Sequence, residues 1–386
     1  MKAVMVIIDG MADEKVESLG FKTTYEYAVH HNLDSLAAQS ISGYMNTCPA
    51  GWLPESMPCI LNLLGVPKEI FPKSRASLEL LAHGCSLRQD EVVLRCNLAA
   101  VDESGRMVSF NGGQLTDREM TEAFRKVEKT DPNIRLLHLS GYRNLIVLKR
   151  HHLNHVECRT YPPHEFIGEK MEQLLADLFS SSQVIRKFIL QSAEMMKDIG
   201  DGRLRYIFYP WGISEKINLP SFKDLYKIRA AAVCGAEIAT GIALSLGMFV
   251  PDIEGATADI DTNLIRKAQT ACDLLDDYDF VLIHINGADE ASHRCDYREK
   301  IKFIERIDRE LIGYLITRLH SDTRIMICSD HATSPVMGKH SGIAVPFIMR
   351  GGKVPPLKNN VNDFPNKTGA AKELHAPEVF QYFLAQ

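Results

Sequence analysis

Paired cysteines are lacking in this sequence, which has nine cysteines in 386 residues. The nine are scattered singly, their number is odd, and no C-x-x-C pair occurs. This pattern supports neither a disulfide framework nor a zinc ribbon, because both need cysteines that are paired or closely spaced. The sequence therefore predicts a protein of a reducing compartment, the cytoplasm.

Basic charge and long apolar runs are also scarce. The formal net charge is -5 and the isoelectric point is about 6.3, so no basic excess is present to neutralise the phosphates of nucleic acid or of an anionic membrane. Only five apolar residues separate Ala3 from Asp9, fewer than a signal peptide needs, and no window approaches the roughly 20 apolar residues of a membrane span. We expect neither nucleic acid nor membrane as a partner.

The overall composition is that of a soluble globular protein. Hydrophobic residues make up 45% of the chain and charged residues 24%, and the length fits two or three domains. No heptad repeat or obvious interface stretch indicates an oligomeric state, which stays open.

Three apolar runs predict buried strands that end in acidic residues. The first, "AVMVII", covers 3–8 and stops at Asp9, and the same pattern returns in 279–293 and in 323–333. Continuous apolar runs are typical of strands buried on both faces of a mainly parallel sheet. Three strand ends therefore offer carboxylates, two of them followed by histidine.

Helical patterns alternate with these strands. An apolar stripe over 297–319 predicts an amphipathic helix, and shorter helices are expected over 261–275 and 235–247. This alternation predicts an α/β domain formed by residues 1–85 and 200–386.

The middle of the chain has a different pattern. Residues 91–113 and 136–150 indicate strand pairs joined by turns that contain glycine, with a helix between them, and further helices are expected before residue 199. We interpret 86–199 as a smaller α+β domain inserted into the first.

Six aspartate and histidine residues near the strand ends are candidate metal ligands. They are Asp9, Asp289, His293, Asp330, His331 and His340. Carboxylates and neutral imidazoles together suit Mn, Zn or Fe, and Mg if water completes the shell. The six could share one ion or divide between two, and two neighbouring ions would suit in-line displacement at phosphorus.

Ser56 in "GWLPESMPCILNLLGV" has two interpretations. It could cap the helix that the apolar run predicts. Alternatively it could be a nucleophile at a helix N-terminus, where unpaired N–H groups and the helix dipole favour an incoming phosphate. The stretch by itself leaves both open.

The order of these motifs is similar to that of a known family. The relevant segments are "IIDGMAD", the serine ahead of "LNLLGV", "LRCNL", "YRNL", "PPHE", "YPWG", "GATADIDTN", "ADEASH" and "SDHATSP" followed by "KHSG". Together they resemble the archaeal-type cofactor-independent phosphoglycerate mutases of the alkaline phosphatase superfamily, over nearly the whole chain. The resemblance implies an alkaline-phosphatase-like domain with a mainly parallel sheet flanked by helices, plus the inserted domain as a lid.

The resemblance also implies two divalent ions, Mn, Zn or Mg, and no requirement for 2,3-bisphosphoglycerate. One ion would be held by Asp9, Ser56, Asp330 and His331, and the other by Asp289, His293 and His340. Ser56 would be the nucleophile that forms a phosphoserine.

Substrate contacts follow from the same resemblance. The implied residues are Arg75, Arg95, Arg143, His164 and Lys267. Arginine matches carboxylate and phosphate in bidentate fashion, but surface or interdomain ion pairs would also explain arginines at these positions. In "DTNLIRK" we expect Asp261 to cap a helix. Asp13 could support the metal ligands from outside or be a surface acid, and we favour the surface acid.

The chain departs from the family pattern around its serine. Relatives usually have Gly before it and an acidic residue after it, where this chain has Glu55 and Met57, and the customary Gly-Arg further on is Ser74-Arg75. The metal ligands are intact while the substrate surroundings differ.

The predicted activity is interconversion of 3-phosphoglycerate and 2-phosphoglycerate, with a small phosphorylated molecule as the partner. Alternatives are phosphotransfer to another small hydroxy acceptor, as proposed for homoserine-kinase-like relatives, hydrolysis of a phosphate or phosphonate monoester, and metal binding without catalysis. The residues that bind the acceptor, and not the metal ligands, would identify phosphotransfer to another acceptor. Hydrolysis is favoured if the arginines of the inserted domain do not converge on the serine, and a protein without catalysis would bind metal but form no phosphoserine.

Overall fold

The computed structural model describes residues 2–154, 158–200, 202–351 and 374–385. The chain divides into two compact units, Met1–Phe71 with Asn218–Gln386, and Pro72–Ile217. No helix among the described residues has the length and apolar character needed to cross a membrane. All nine cysteines lie in these ranges as free thiols.

The strands are β1 (Ala3–Ile8), β2 (Ile41–Asn46), β3 (Glu91–Val101), β4 (Met107–Ser109), β5 (Ile134–Ser140), β6 (Arg143–Lys149), β7 (Arg205–Glu215), β8 (Ala230–Val233), β9 (Phe280–Ile285), β10 (Arg324–Cys328), β11 (Ala332–Thr333), β12 (His340–Ser341), β13 (Val345–Arg350) and β14 (Leu374–His375).

The α-helices are α1 (Thr24–Tyr27), α2 (His31–Ala37), α3 (Ser56–Leu63), α4 (Ala76–Ala82), α5 (Asp117–Val127), α6 (Met171–Ser181), α7 (Gln183–Met195), α8 (Phe222–Tyr226), α9 (Glu237–Ser245), α10 (Leu264–Asp277), α11 (Gly287–His293), α12 (Tyr297–Arg306), α13 (Gly313–Arg318) and α14 (Ala376–Leu384). A π-helical turn, Ile307–Ile312, joins α12 to α13.

The first unit contains a seven-stranded sheet in the order β14-β2-β13-β10-β1-β9-β8. The three predicted strands β1, β9 and β10 lie side by side and parallel at its centre, and β8 pairs in parallel with β9. The antiparallel strand β13 joins β10 to β2. The predicted α/β fold with a mainly parallel sheet is confirmed.

One face of this sheet carries a large apolar core. Val4, Val6 and Ile8 of β1 lie in it, together with the apolar stripe of the long helical segment α12–α13, including Ile304 and Leu315. Side chains alternate between the two faces of a strand, so the intervening positions of β1 point to the opposite face. That opposite face leads to Asp9.

The second unit contains a separate five-stranded antiparallel sheet. Its central strand β3 pairs with β6 along one edge and with β7 along the other. Residues of α5, α6 and α7 share an apolar core with this sheet, including Ala123, Leu178 and Phe188.

The boundaries of this unit, 72 and 217, differ from the predicted 86 and 199. At the N-terminal boundary, Ala76 and Leu80 of α4 pack in one apolar cluster with Val93 of β3, so α4 lies with the second sheet. At the C-terminal boundary, β7 completes that sheet by pairing with β3 along most of its length. Strand pairing over more than 100 residues of sequence cannot be inferred from local patterns.

Candidate active site

Ser56 is the first residue of α3 and does not cap it. Glu55 occupies the capping position in extended backbone, without a side-chain capping bond. The half-buried Ser56 hydroxyl instead lies 3.2 Å from Nε2 of His331 and donates to Oδ2 of Asp9 over 3.4 Å. The interpretation of Ser56 as a helix cap is therefore wrong.

Strand register brings the carboxylates to the same edge of the sheet. Ile7 of β1 lies opposite Cys328 of the parallel strand β10, and Asp9 and Asp330 follow two residues later on each chain segment. Side chains two residues apart in a strand share a face, so the two acids converge. Open α/β sheets bind ligands at this carboxyl edge.

The first group of predicted ligands surrounds the His331 imidazole. Its Nε2 lies 3.2 Å from Oδ1 of Asp9 and 3.5 Å from Oδ2 of Asp330, in addition to its contact with Ser56. Asp9 and Asp330 are fully buried, and His331 is 1% exposed. The four side chains that the resemblance assigned to one ion are thus brought together.

The second group is formed by Asp289, His293 and His340. Nε2 of His293 lies 3.2 Å from Oδ2 of Asp289 and 3.0 Å from Nε2 of His340. Nδ1 of His293 is bonded to the carbonyl of Gly338 at 2.9 Å, the kind of outer contact that orients metal-binding imidazoles. The rings of His340 and His331 are 4.1 Å apart, so the two groups adjoin.

The residues of the first group fit a divalent cation. Oδ1 of Asp9 and Oδ2 of Asp330 are buried and make no hydrogen bond with the described residues. Burial, and then repulsion by Asp330 and Asp289, raises the pKa of Asp9 well above its ordinary value. Burying carboxylate oxygens without a partner is costly, and a bound cation would compensate them.

The side chains of the second group favour a positive charge, and a proton can supply this charge in place of a metal. Burial alone would raise the pKa of Asp289, but hydrogen bonds with His293 and His340 hold it well below the ordinary value. The hydrogen bond with Asp289, opposed by burial, raises the pKa of His293 to about 9. A metal must therefore displace a proton from His293 at neutral pH.

This competition predicts a pH dependence of metal affinity. His293 binds a metal only when neutral, so its proton opposes binding most strongly below pH 9, and rising pH favours the metal. We expect the apparent affinity of the second group to rise about ninefold from pH 7 to 8 and about fivefold from pH 8 to 9, with the number of protons released per ion falling from about one at pH 7 to about one half at pH 9. Calorimetric titrations in buffers of different ionisation enthalpy measure both quantities. An affinity that stays constant from pH 7 to 9 would contradict this prediction.

Sequence reasoning missed His284, which lies beneath the first group. Its position in β9 is opposite Ile7, so it shares the face of Asp9, and its Nε2 is 3.2 Å from Oδ2 of Asp9. Neither ring nitrogen makes a hydrogen bond with the described residues, and burial lowers the pKa of His284 to about 3. His284, Asp9 and Asp330 can direct ligand atoms to within 4.8 Å of one another. A histidine inside the apolar run "FVLIHI" was the available signal.

Gly10 is required by the close approach of the two ligand groups. It has a φ of +60°, and a Cβ there would lie 2.6 Å from Oδ1 of Asp289 and 2.7 Å from Oγ1 of Thr333. Its backbone N–H donates to Oδ1 of Asp330 at 3.2 Å. Only glycine tolerates both this backbone conformation and this contact.

Asp13 is buried, so its interpretation as a surface acid is wrong. It is 4% exposed and pairs at 2.9 Å with the ammonium of Lys300, which is fully buried. Lys300 also donates to the carbonyl of Thr333 at 3.1 Å. The "DGMAD" motif thus supports the segment that follows His331.

Three of the predicted substrate contacts form a cationic cluster in the second unit. Glu79, 3% exposed, lies between Arg75 and Arg95, whose Nε atoms are 2.9 and 3.0 Å from its two oxygens. Arg95 stacks on the ring of Trp211 at 4.1 Å. Burial, and then repulsion by Arg75, lowers the pKa of Arg95 to about 10, and Arg143 adds to this repulsion. Two arginines share the single carboxylate of Glu79, and Arg143 lies near enough to repel Arg95, so the cluster has a net positive charge.

The remaining two predicted contacts differ in exposure. The His164 side chain is 53% exposed, with its ring 6.2 Å from that of Trp211. Lys267 is fully buried, and its ammonium donates to the carbonyl of His284 at 3.2 Å. Burial lowers the pKa of Lys267 to about 8. In the structure the Lys267 side chain therefore stabilises β9.

The predicted capping residue in this region was wrong by two positions. The side chain of Asn263, and not that of Asp261, accepts the bond that caps α10, from the N–H of Arg266 at 2.9 Å. Asp261 bonds to Thr257 instead.

Comparison with known proteins relates the chain to phosphoglycerate mutases. The 2,3-bisphosphoglycerate-independent phosphoglycerate mutase 2 of Methanothermobacter thermautotrophicus is 30% identical over 361 residues, which cover 91% of this chain and 89% of that protein. The 2,3-bisphosphoglycerate-independent phosphoglycerate mutase of Ignicoccus hospitalis is 32% identical over 373 residues, 90% of this chain and 88% of that protein.

Solved structures share the fold. A Pyrococcus horikoshii protein superposes with a TM-score of 0.79 at 24% identity, covering 99% of this chain and 97% of the other. The cofactor-independent phosphoglycerate mutase of Thermoplasma acidophilum superposes with a TM-score of 0.63 at 18% identity, covering 99% and 98%. The model of the metalloenzyme superfamily matches residues 1–378. The chain therefore belongs to the metalloenzyme superfamily and, within it, to the family of 2,3-bisphosphoglycerate-independent phosphoglycerate mutases.

Proposed function

We propose that this protein interconverts 3-phosphoglycerate and 2-phosphoglycerate through a phosphoserine at Ser56. The observation that carries the proposal is the position of the Ser56 hydroxyl, which contacts Asp9 and His331 instead of capping α3. Relatives that are about 30% identical to this chain over nearly its whole length are named as phosphoglycerate mutases, and these names support the choice of substrate.

Two divalent ions, Mn, Zn or Mg, are part of this proposal. One would be held by Asp9, Ser56, Asp330 and His331, and the other by Asp289, His293 and His340. Bound there, such ions supply positive charge that stabilises the transferring phosphoryl group and favours the serine alkoxide. The unpartnered oxygens of Asp9 and Asp330 support this assignment.

The transfer needs two displacements at the same phosphorus. In the first, Oγ of Ser56 loses its proton and forms a bond to phosphorus while the bond from phosphorus to the 3-oxygen of the substrate breaks; the 3-oxygen takes up a proton, which leaves glycerate. In the second, the 2-hydroxyl of glycerate loses its proton and forms the new bond to phosphorus while the bond from phosphorus to Oγ breaks, and Oγ takes up a proton to restore Ser56. Because the phosphoryl group leaves and rejoins the same molecule, 2,3-bisphosphoglycerate is not required.

We propose that the second unit supplies substrate contacts through its cationic cluster. Arg75, Arg95 and Arg143 would bind the carboxylate and phosphate of the substrate, and His164 would add a further contact. The planar guanidinium groups suit bidentate pairing with both anions. The stacking of Arg95 on Trp211 and the shared carboxylate of Glu79 hold two of the three in fixed positions.

One assay tests these proposals together. Metal-loaded protein is mixed with 3-phosphoglycerate, and 2-phosphoglycerate, free phosphate and the mass of the Ser56 peptide are followed. We expect 2-phosphoglycerate to accumulate without free phosphate, and metal-free protein to form neither product. Glutamine variants of Arg95 and Arg143 should raise the KM while Ser56 remains able to take the phosphoryl group.

The other outcomes identify the alternatives. Free phosphate with a phosphorylated Ser56 would make the protein a hydrolase, or a phosphotransferase to another hydroxy acceptor such as homoserine. The replacement of the usual flanking residues by Glu55 and Met57 is the feature of this chain that makes the distinction worth measuring. Metal binding without product or phosphoserine would contradict catalysis altogether.

A further inference from the structure

Thr333 lies between the two ligand groups and contacts both. Its fully buried hydroxyl donates to Oδ1 of Asp289 at 2.6 Å and lies 3.1 Å from Nδ1 of His331. Asp289 belongs to the second group and His331 to the first. One hydroxyl therefore connects a carboxylate of one proposed metal site to an imidazole of the other.

Counting protons assigns a direction to each of these bonds. A threonine hydroxyl has a single proton, and a carboxylate can only accept, so the proton of Thr333 is used for Asp289. The contact with His331 is then one in which Nδ1–H donates to the threonine oxygen. A neutral imidazole carries one proton, so the other nitrogen, Nε2, presents a lone pair.

The lone pair on Nε2 of His331 faces the carboxylate of Asp9, where a cation could be bound. Nε2 of His331 lies 3.2 Å from Oδ1 of Asp9, and this carboxylate oxygen makes no hydrogen bond with any residue that the structure describes. The lone pairs of these two atoms repel each other at this distance. A cation placed between them would be bound by both.

We propose that Thr333 is a positioning residue that holds His331 as its Nδ1–H tautomer and orients Asp289, so that one hydroxyl prepares a ligand of each proposed metal group. The inference rests on the proposed function, since it assigns Thr333 a role toward the same two ions. The inference applies to the metal-free protein, so it can be tested separately from the proposed function.

The surroundings of Thr333 fix its hydroxyl. Its N–H donates to the carbonyl of Ala12 at 2.8 Å, and its own carbonyl accepts from Lys300 at 3.1 Å. Gly10 leaves no space for movement on the other side, because even a Cβ there would lie 2.7 Å from the threonine oxygen. A purely structural role in the short strand β11 would be filled equally well by valine, which has nearly the same shape.

The tautomer is measurable in wild-type protein without any variant. Metal-free protein labelled with 15N-histidine should show the His331 signals of an Nδ1–H imidazole, assigned by their loss in His331→Gln among the 14 histidines. An Nε2–H tautomer would overturn the proposal. This result is independent of whether the protein is a mutase, so the two proposals fail separately.

Substitutions test the effect on metal binding. Thr333→Val should lower the affinity for Mn²⁺ or Zn²⁺ by roughly 10–100-fold, the usual effect of removing an outer partner of a metal ligand, and should mix the His331 tautomers. Thr333→Ser keeps the hydroxyl and should restore both. The matched control is Thr262→Val, because Thr262 is also fully buried and its hydroxyl has no partner among the described residues.

Three results would overturn the role of Thr333. They are wild-type affinity in Thr333→Val, an equal loss in Thr333→Ser, and an equal loss in Thr262→Val. If wild-type protein binds neither ion, the proposed function fails, while the tautomer measurement still decides the inference about Thr333.

Discussion

Ser56→Ala is expected to abolish phosphoglycerate interconversion. The variant cannot form a phosphoserine, and removal of a covalent nucleophile lowers kcat by about four to six orders of magnitude in enzymes whose catalytic groups act as a unit. Its unfolding free energy should change by less than about 1 kcal/mol, because the hydroxyl makes no capping bond and the bond that it donates to Asp9 is long, 3.4 Å. Product formation from 3-phosphoglycerate and denaturant unfolding measure the two effects.

A true capping serine provides the matched control. Ser221 accepts from the N–H of Asp224 at 3.1 Å and caps α8. Ser221→Ala should cost about 1 kcal/mol of stability and leave the activity intact, the opposite of Ser56→Ala. If Ser56→Ala behaves like Ser221→Ala in both measurements, the serine is not a nucleophile.

The central part of the site could be predicted because it depends on local patterns. Apolar runs that stop at Asp9 and before Asp330 indicate strand ends, and parallel strands place their carboxyl ends at one edge of a sheet. The neighbouring segment "ADEASH" puts Asp289 and His293 one helical turn apart in α11. These rules predict convergence without knowledge of the register.

The supports of the site could not be predicted, because they depend on pairs distant in sequence. Asp13 meets Lys300 across the fold, so its acidic side chain alone gave no sign of burial. His284 lies under Asp9 only because of the register of β9 with β1. The antiparallel strand β13 pairs with β10 within the apolar run "AVPFIM", where a proline argues against a central strand.

The second large effect is expected for stability, from the pair of Lys300 and Asp13. Both side chains are fully buried and 2.9 Å apart. Burial raises the pKa of Asp13 and lowers that of Lys300, while the attraction between the two acts in the opposite direction. Each charge is therefore tolerated only because the other compensates it.

Lys300→Met should lower the unfolding free energy of the metal-free protein by about 3–5 kcal/mol, because it leaves the buried Asp13 without its cation. The double variant Lys300→Met/Asp13→Asn should lose less unfolding free energy, because the asparagine carries no charge. The asparagine can also still accept from Thr24, whose N–H is 3.1 Å from Oδ1 of Asp13. Denaturant unfolding of the three proteins measures both quantities.

The exposed pair of Lys149 and Asp90 is the control that separates burial from contact geometry. Its two charges are 2.7 Å apart, closer than the buried pair, but the side chains are 33% and 63% exposed. Lys149→Met should therefore cost no more than about 1 kcal/mol. A loss of the same size in Lys149→Met and Lys300→Met would mean that distance and not burial sets the cost. A larger loss in Lys300→Met, partly recovered by Asp13→Asn, would establish that burial of the charges, and not the distance between them, sets the cost of leaving one of them unpaired.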